Sequence, residues 1–434
     1  MNLRWILAAF LLPTLAHGQW EDVKKIGTGG ETFVSADGKG HVYVTGHLPT
    51  TLFVSDDWGL NFAAKPFPGF CDVSTYVWPD GKMHLLWMTS SPWGIKTAYS
   101  TDFGKTLTDA SFFGEPLDRP WLAAHPPTNR MWFLYSDGYI GYEPVPGKGF
   151  VIKGVFLAGS KDGGKSFEHL GRVDKEPDGH YGVDPYLTCG ASGRLYAMWG
   201  VTSDKNTIDS FDYATSADGG KTFTNHQTLL KINKQSGDTQ ERWMLGTIVA
   251  VGEKKVVAVL PDYKTVTVQG KDSRAMLLQY VVSEDGGATF SEPKNALSQQ
   301  ENLGAVKQFE NAKSTDKDSV ANYAQTLAWA SVDSWGRIHL AFQDNRLGQI
   351  KHENATWNQW QVRYAVMDDT SKGFGRSEAV SKPMIQVRPN LDFLGITSDK
   401  RFTYITWSQN EHDGQGFSGD LMVARKPITA PKGK

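Results

Sequence analysis

Five copies of one turn motif, seven strands of one repeating type and the lack of any long helical pattern predict an all-β fold for this 434-residue chain. The predicted fold is a β-propeller of seven four-stranded antiparallel blades, with an N-terminal strand closing the last blade. The fullest copy of the turn is Ser216-Ala217-Asp218-Gly219-Gly220-Lys221-Thr222-Phe223, pattern S-x-D-x-G-x-T-F. Further copies begin at Ser55, Ser100, Ser160 and Ser283. Their spacing, roughly 45–70 residues, is the range of propeller and solenoid repeats.

The motif has the chemistry of a hairpin turn. A short Asp side chain accepts from backbone N–H groups further along, and Gly supplies a left-handed position. The last residue, Phe in four of the five copies, anchors the turn to apolar surface. Apolar alternating runs at 51–54, 96–99 and 275–282 lead into copies, so each copy joins two antiparallel strands.

The second strand of each unit is the clearest marker: 40–44, 82–87, 130–134, 193–199, 255–260, 336–342 and 401–407. The last unit is one strand short. A spare run at 20–26 precedes the first unit, and placing it on the outside of the last removes an exposed edge. A six-bladed ring is the alternative, because the fifth unit is long and the sixth has only a degraded turn near Asp368-Asp369. The polar stretches 295–319 and 344–360 read as surface loops, and helices of any length are not expected.

Residues 1–18 read as a secretory signal: Arg4, then an apolar core, then Ala16-His17-Gly18 before Gln19. The apolar run is too short to span a bilayer. The expected organisation is signal 1–18, a single propeller 19–427 and a tail 428–434, in a secreted or periplasmic monomer with no membrane span. A net charge of −2 gives no bulk attraction for nucleic acid. The two cysteines, Cys71 and Cys189, fall at opposite ends of inner strands in non-adjacent blades. Two unpaired, buried thiols are expected rather than a bridge, with no metal-ligand cluster and no cofactor.

Propeller topology sorts loops by face. The Ser–Asp–Gly turns lie on one face, and the loops leading into the inner strands lie on the other, around the channel mouth. The second set carries Glu31, Asp72, Asp118-Arg119, His180-Tyr181 with Asp184, Glu241-Arg242, Tyr323 and Arg388. Loops crossing between second and third strands add His47, Trp93 and Arg346. Arg forks bind carboxylates, and aromatic rings stack on sugar faces, so a glycan with acidic sugars fits the set. The bland reading is a polar network bridging adjacent blades.

At its repeated turns the chain resembles the Asp-box, or BNR-repeat, propellers typified by sialidases. The resemblance implies structural turns and a site on the opposite face. Asp118-Arg119-Pro120-Trp121 is also similar to the Arg-x-Pro motif of sialidases, although Arg and Pro are adjacent here and the motif opens the third unit. It implies a sialidase-like glycoside hydrolase acting on acidic or terminal sugars. Arg119 would bind the sugar carboxylate, with Arg242, Arg346 and Arg388 as candidate companions. His47, Trp93, Tyr323 and Asp184 would contact substrate. Tyr181 or Tyr323, activated by Glu241, would be the nucleophile and Asp72 or Asp118 the acid. Arg119 beside Asp118 should keep that carboxylate ionised, which counts against Asp118 as the acid.

Two alternatives remain. Propellers of this kind also host lyases acting on uronic-acid polysaccharides, in which His47, His180 or Tyr181 would take a proton beside a carboxylate held by Arg119 or Arg242. A rigid ring that only binds carbohydrate or protein would carry the same motifs.

Overall fold

The computed structural model describes residues 20–114, 117–137, 153–175, 179–203, 208–235, 244–309, 322–352, 355–386, 393–409 and 419–431. Antiparallel strands dominate, and they form four-stranded blades of a β-propeller. The inner strands are Glu21–Ala36, Cys71–Val77, Leu117–His125, Tyr181–Cys189, Thr247–Val251, Gln325–Val332 and Gly395–Ser398. Each packs against the next, and the last returns to the first.

The expectation of seven discrete blades is corrected. Five blades stand as separate sheets, and the remaining strands form one seven-stranded sheet. The cause is the 16-residue strand Glu21–Ala36. Its first half pairs with Gly419–Pro427, from Glu21↔Arg425 to Gly29↔Gly419. Its second half pairs with Val42–His47, from Gly30↔His47 to Ala36↔Val42. One strand therefore serves both the beginning and the end of the chain and removes an edge. Gly27 permits the run: a Cβ there would lie 2.4 Å from the Phe53 ring.

Second strands such as Val42–His47 and Met83–Ser90 are buried over nearly their whole length. Each is covered on both faces by neighbouring blades, so it reads as a continuous apolar run rather than an alternation. The apolar clusters accordingly lie between blades, as where Trp132 and Leu134 meet Leu195 and Trp199.

All five Ser–Asp–Gly turns share one network. The Ser hydroxyl donates to the Asp two residues on, at 2.7–2.8 Å. The same Ser oxygen accepts the N–H of the Gly four residues on. The backbone N–H six residues on closes onto the Asp. That Gly then presses on the preceding blade. A Cβ on Gly220 would come within 2.3 Å of Leu157, and one on Gly287 within 2.0 Å of the Tyr213 hydroxyl.

Two further expectations are revised. Within the stretch read as a polar loop, Gln299–Val306 forms a helix, capped by Ser298 through the Glu301 N–H. The stretch 344–360 contributes the strand Gln349–His352 and part of Ala355–Met367 rather than a loop. Among the described residues no helix is long and apolar enough to cross a membrane.

Candidate functional site

The inner strands open on a repeated irregularity. Glu31, Asp72, Arg119 and Asp184 have left-handed φ angles of 44°, 49°, 50° and 47°. Each sits where the pairing register slips, between Gly30 and Phe33, between Cys71 and Ser74, opposite Leu134–Ser136, and between Val183 and Tyr186. Leu327 repeats the pattern with φ 52°. A bulge of this kind re-aims a side chain, and a non-Gly residue in this region costs roughly 1–3 kcal/mol, so surrounding contacts must enforce it. The bulges lie at the end of the blade opposite the Ser–Asp–Gly turns. In the Tyr181–Cys189 blade, Ser216 of the turn pairs with Leu195, which pairs with Cys189 at the far end of the inner strand.

Four blades contribute to one cluster. The Asp72 N–H donates to the Glu31 carboxylate at 3.3 Å. The Arg119 N–H donates to both Asp72, at 3.1 Å, and Asp118, at 3.0 Å. Arg119 Nε meets the Asp184 carboxylate at 2.5 Å, and its guanidinium lies 4.9 Å from the centre of the Phe393 ring. His47 Nδ1 is 3.2 Å from Glu31. His47, Asp72, Arg119 and Asp184 are all buried.

The ionisation of Asp118 reverses the expectation. Burial pushes its carboxyl well above the ordinary carboxylate range, and the Asp72 charge adds to the rise. Arg119 opposes the shift but is already matched to Asp184. A hydrogen bond with Asp72 also favours the protonated acid. Adjacency to Arg119 in the chain was therefore a poor guide, because burial, joined by a second carboxylate from the neighbouring blade, outweighs it.

Cys71 and Cys189 are unpaired. Yet Cys71 does enter a ligand-like group: its sulfur and carboxylate oxygens of Glu31 and Asp72 lie within 4.8 Å of one another. Such a set could hold a cation, which corrects the expectation of no such cluster. Burial raises the Cys71 thiol well above its usual value, with Asp72 and Glu31 adding to the shift.

Beneath the cluster the channel is closed by aromatic rings. Trp121 lies 4.8 Å from Trp329, 4.9 Å from Phe393 and 5.8 Å from Phe33, centre to centre. On the other side of this plug is a cavity of about 240 Å³, bordered by Ser35, Ser74, Tyr76 and Thr188.

The remaining sequence candidates lie elsewhere. Tyr323 is buried, donates to Asp344 at 2.9 Å and accepts from Gln325. Burial, reinforced by Asp344, raises its hydroxyl well above the usual value, which disfavours a phenolate nucleophile. Arg346 joins Asp344 and Glu301, at 2.6 Å from the latter, and pins the helix Gln299–Val306 to its blade. His180 is exposed and lines a separate cleft with Lys175, Trp199, Asp212 and His226. Tyr181 is half-buried against the largest apolar cluster. Trp93 stands edge-on to Phe70, 5.6 Å away. Glu241, Arg242 and Arg388 lie outside the described residues.

Glu31 and Cys71 received no role from the sequence. A signal was present: Glu31, Asp72, Arg119 and Asp184 each stand two residues before an inward-facing position, Phe33, Ser74, Trp121 and Tyr186.

No protein-family model matches the chain, and no curated protein is similar to it in sequence. Solved structures with a similar shape exist. A Dyadobacter fermentans protein of unknown function is 13% identical with a TM-score of 0.49, over 94% of this chain and 99% of that one. The Fusarium graminearum α-L-arabinofuranosidase Arb93A is 12% identical with a TM-score of 0.47, over 82% and 92%. The Hadza microbial sialidase Hz136 is 11% identical with a TM-score of 0.44, over 89% and 73%. These are distant likenesses of overall shape.

Proposed function

We propose that this chain is an exported glycoside hydrolase whose general acid is Asp118. The observation that carries the reading is the Asp118–Asp72 pair: both carboxyls converge on the Arg119 N–H, at 3.0 and 3.1 Å, and burial together with the Asp72 charge raises Asp118 well above the ordinary carboxylate range. Glycoside hydrolysis needs such an acid beside a second carboxylate that remains charged. Asp118 gives its proton to the leaving glycosidic oxygen as the C–O bond breaks. The carboxylate left behind is received by the Arg119 N–H, 3.0 Å away. Glu31, with Asp72 between it and Asp118, is the second carboxylate and faces the anomeric carbon or the attacking water. Asp72 sets the acidity of Asp118, and Asp184 holds Arg119 in place.

Little in the cluster supports sialidase specificity. Arg119 is its one arginine among the described residues, and Arg346 serves the helix instead.

Purified protein should release reducing sugar from a panel that includes arabinofuranosides, sialosides, uronate polysaccharides and amino-sugar oligomers. Asp118→Asn should abolish that release without lowering the melting temperature. An unsaturated-uronate ultraviolet band would identify a lyase instead, and retention on glycan columns without any cleavage would identify a binding ring. Export predicts a mature N-terminus at Gln19, read by N-terminal sequencing of the secreted protein.

A further inference from the structure

We infer that the cleft between the Leu117–His125 blade and the Tyr181–Cys189 blade, the third and fourth in chain order, is a second ligand site that takes an uncharged sugar unit. It is separate from the carboxyl cluster and does not need the hydrolase reading. The cleft holds about 430 Å³, within the range of small-molecule sites. Its floor is one face of the fourth blade, where Trp199, Asp212 and Thr228 stand opposite one another on successive strands. Asp174 and Lys175, which follow the outer strand Glu168–Arg172 of the third blade, border it from the other side.

The two preceding blades show what this opening replaces. Four residues before its turn serine, the second blade has Lys96 and the third has Phe156, each directly opposite an aromatic residue of the second strand. Lys96 lies over the Trp87 ring, 5.8 Å from its centre, and Phe156 stacks on Tyr135 at 6.2 Å. Cross-strand cover of this kind closes the face of a sheet. The equivalent residue of the fourth blade is Asp212, opposite Trp199. Its side chain is too short to lie over the indole, and the cleft opens at that point.

The groups left uncommitted select the ligand. Among the described residues Asp212 takes one hydrogen bond, from Ser210 at 3.1 Å. A carboxylate has about four acceptor sites, so most of its capacity is left for a ligand. Asp174 is by contrast committed to the Val155 N–H and to Arg172. Lys175 is exposed and brings three donors to the mouth. An anion entering here would face Asp212, and a cation would face Lys175, but neutral hydroxyls can donate to the one and accept from the other. The Thr228 hydroxyl and the His226 imidazole, which stands 6.2 Å from the Trp199 ring, add further polar contacts. Trp199 and Val201 supply an apolar border for the C–H face of a sugar ring.

The test is fluorine NMR of the full chain labelled with 5-fluorotryptophan, the Trp199 resonance being assigned by its loss in Trp199→Phe. The probes are neutral tetrasaccharides of arabinose, xylose, glucose and galactose, with oligogalacturonate, spermine and glycylglycine as charged counterparts. At least one neutral tetrasaccharide should shift the Trp199 resonance in a saturable way. Asp212→Phe, which supplies the side chain found in the third blade, should weaken that binding at least about tenfold, the value of one charge-assisted contact. Thr228 is exposed, so Thr228→Trp should block the mouth with the same loss and reads out even if Asp212→Phe fails to fold. A Trp199 resonance unmoved by every neutral probe at millimolar concentration would overturn the inference. So would a response that Thr228→Trp leaves unchanged, or tighter binding of oligogalacturonate, spermine or glycylglycine than of any neutral sugar. A Trp199 response in a protein that cleaves no glycan would remove the hydrolase reading and leave this one standing. Glycan cleavage with a silent Trp199 resonance would do the reverse.

Discussion

On one rim of the ring each aspartate is bonded within its own eight residues; on the other, aspartates are bonded across blades. Asp102 takes the Thr106 N–H and the Ser100 and Thr106 hydroxyls, and is drawn down to about 2. Burial works against Asp218, but Thr222 and Ser216 still bring it to about 2. Asp118 on the opposite rim moves the other way, because burial and the Asp72 charge outweigh Arg119. The same side chain is shifted down where local donors surround it and up where it is buried beside other carboxylates. The reach of an aspartate's hydrogen bonds, within one turn or across blades, thus goes with the direction in which its carboxyl is shifted.

The largest expected effect breaks that contrast directly. Asp118→Asn should lower the rate of glycan cleavage by at least about 100-fold, the low end for a lost general acid. Asp218→Asn should leave the rate unchanged. Equal losses in the two variants, measured under saturating substrate, would erase the distinction between the rims.

Stability gives the next largest effect. Arg119 and Asp184 form a pair with side chains about one-tenth exposed. Asp184→Asn should cost about 3–5 kcal/mol in a urea melt, because it removes the carboxylate charge that meets a buried guanidinium. The exposed pair of Lys96 and Asp109 should contribute under about 1 kcal/mol by the same measurement. Ser216→Ala belongs between them. It strands the buried Gly220 N–H, which now donates at 2.9 Å, and should cost about 1–3 kcal/mol.

The two rims also differ in how far a sequence discloses them. Each Ser–Asp–Gly turn completes its bonding between Ser216 and Thr222 or their equivalents, so eight letters suffice to recognise it. The cluster joins residues 31, 47, 72, 118, 119 and 184, and nothing local states that they meet. Sorting loops by face placed all six of these residues on one rim but gave Tyr323 and Arg346 the same rank. Those two are instead absorbed by the helix Gln299–Val306 through Glu301 and Asn302. The helix itself was hidden by its polar sequence, Gln299-Gln300-Glu301-Asn302. The merged sheet was hidden by Gly27-Thr28-Gly29-Gly30, which reads as a break between strands. In the structure Gly27 is demanded by the Phe53 ring, and the strand runs on.

The smallest expected effect, and the one that sharpens the contrast most, is on the pH dependence of unfolding. The folded values of Asp102, Asp162 and Asp218 lie at about 2, below the value of about 3.9 for an unfolded Asp. Their native state binds fewer protons than the unfolded chain, so their stabilisation is present above the unfolded value and is lost as pH falls toward 2. Asp118 has the opposite sign. Its folded value is raised, so the native state keeps a proton that the unfolded chain gives up. Its contribution is present below the unfolded value and is lost as pH rises through the folded one. Asp218→Asn should therefore flatten the acid limb of a melting-temperature profile and leave the neutral limb alone, whereas Asp118→Asn should flatten the neutral limb and leave the acid limb alone. The turn aspartates are largely exposed, so each acid-limb change should be small and salt-sensitive. If both variants altered the acid limb alone, Asp118 would be an ordinary ionised carboxylate, and the general-acid role proposed for it would lose its support.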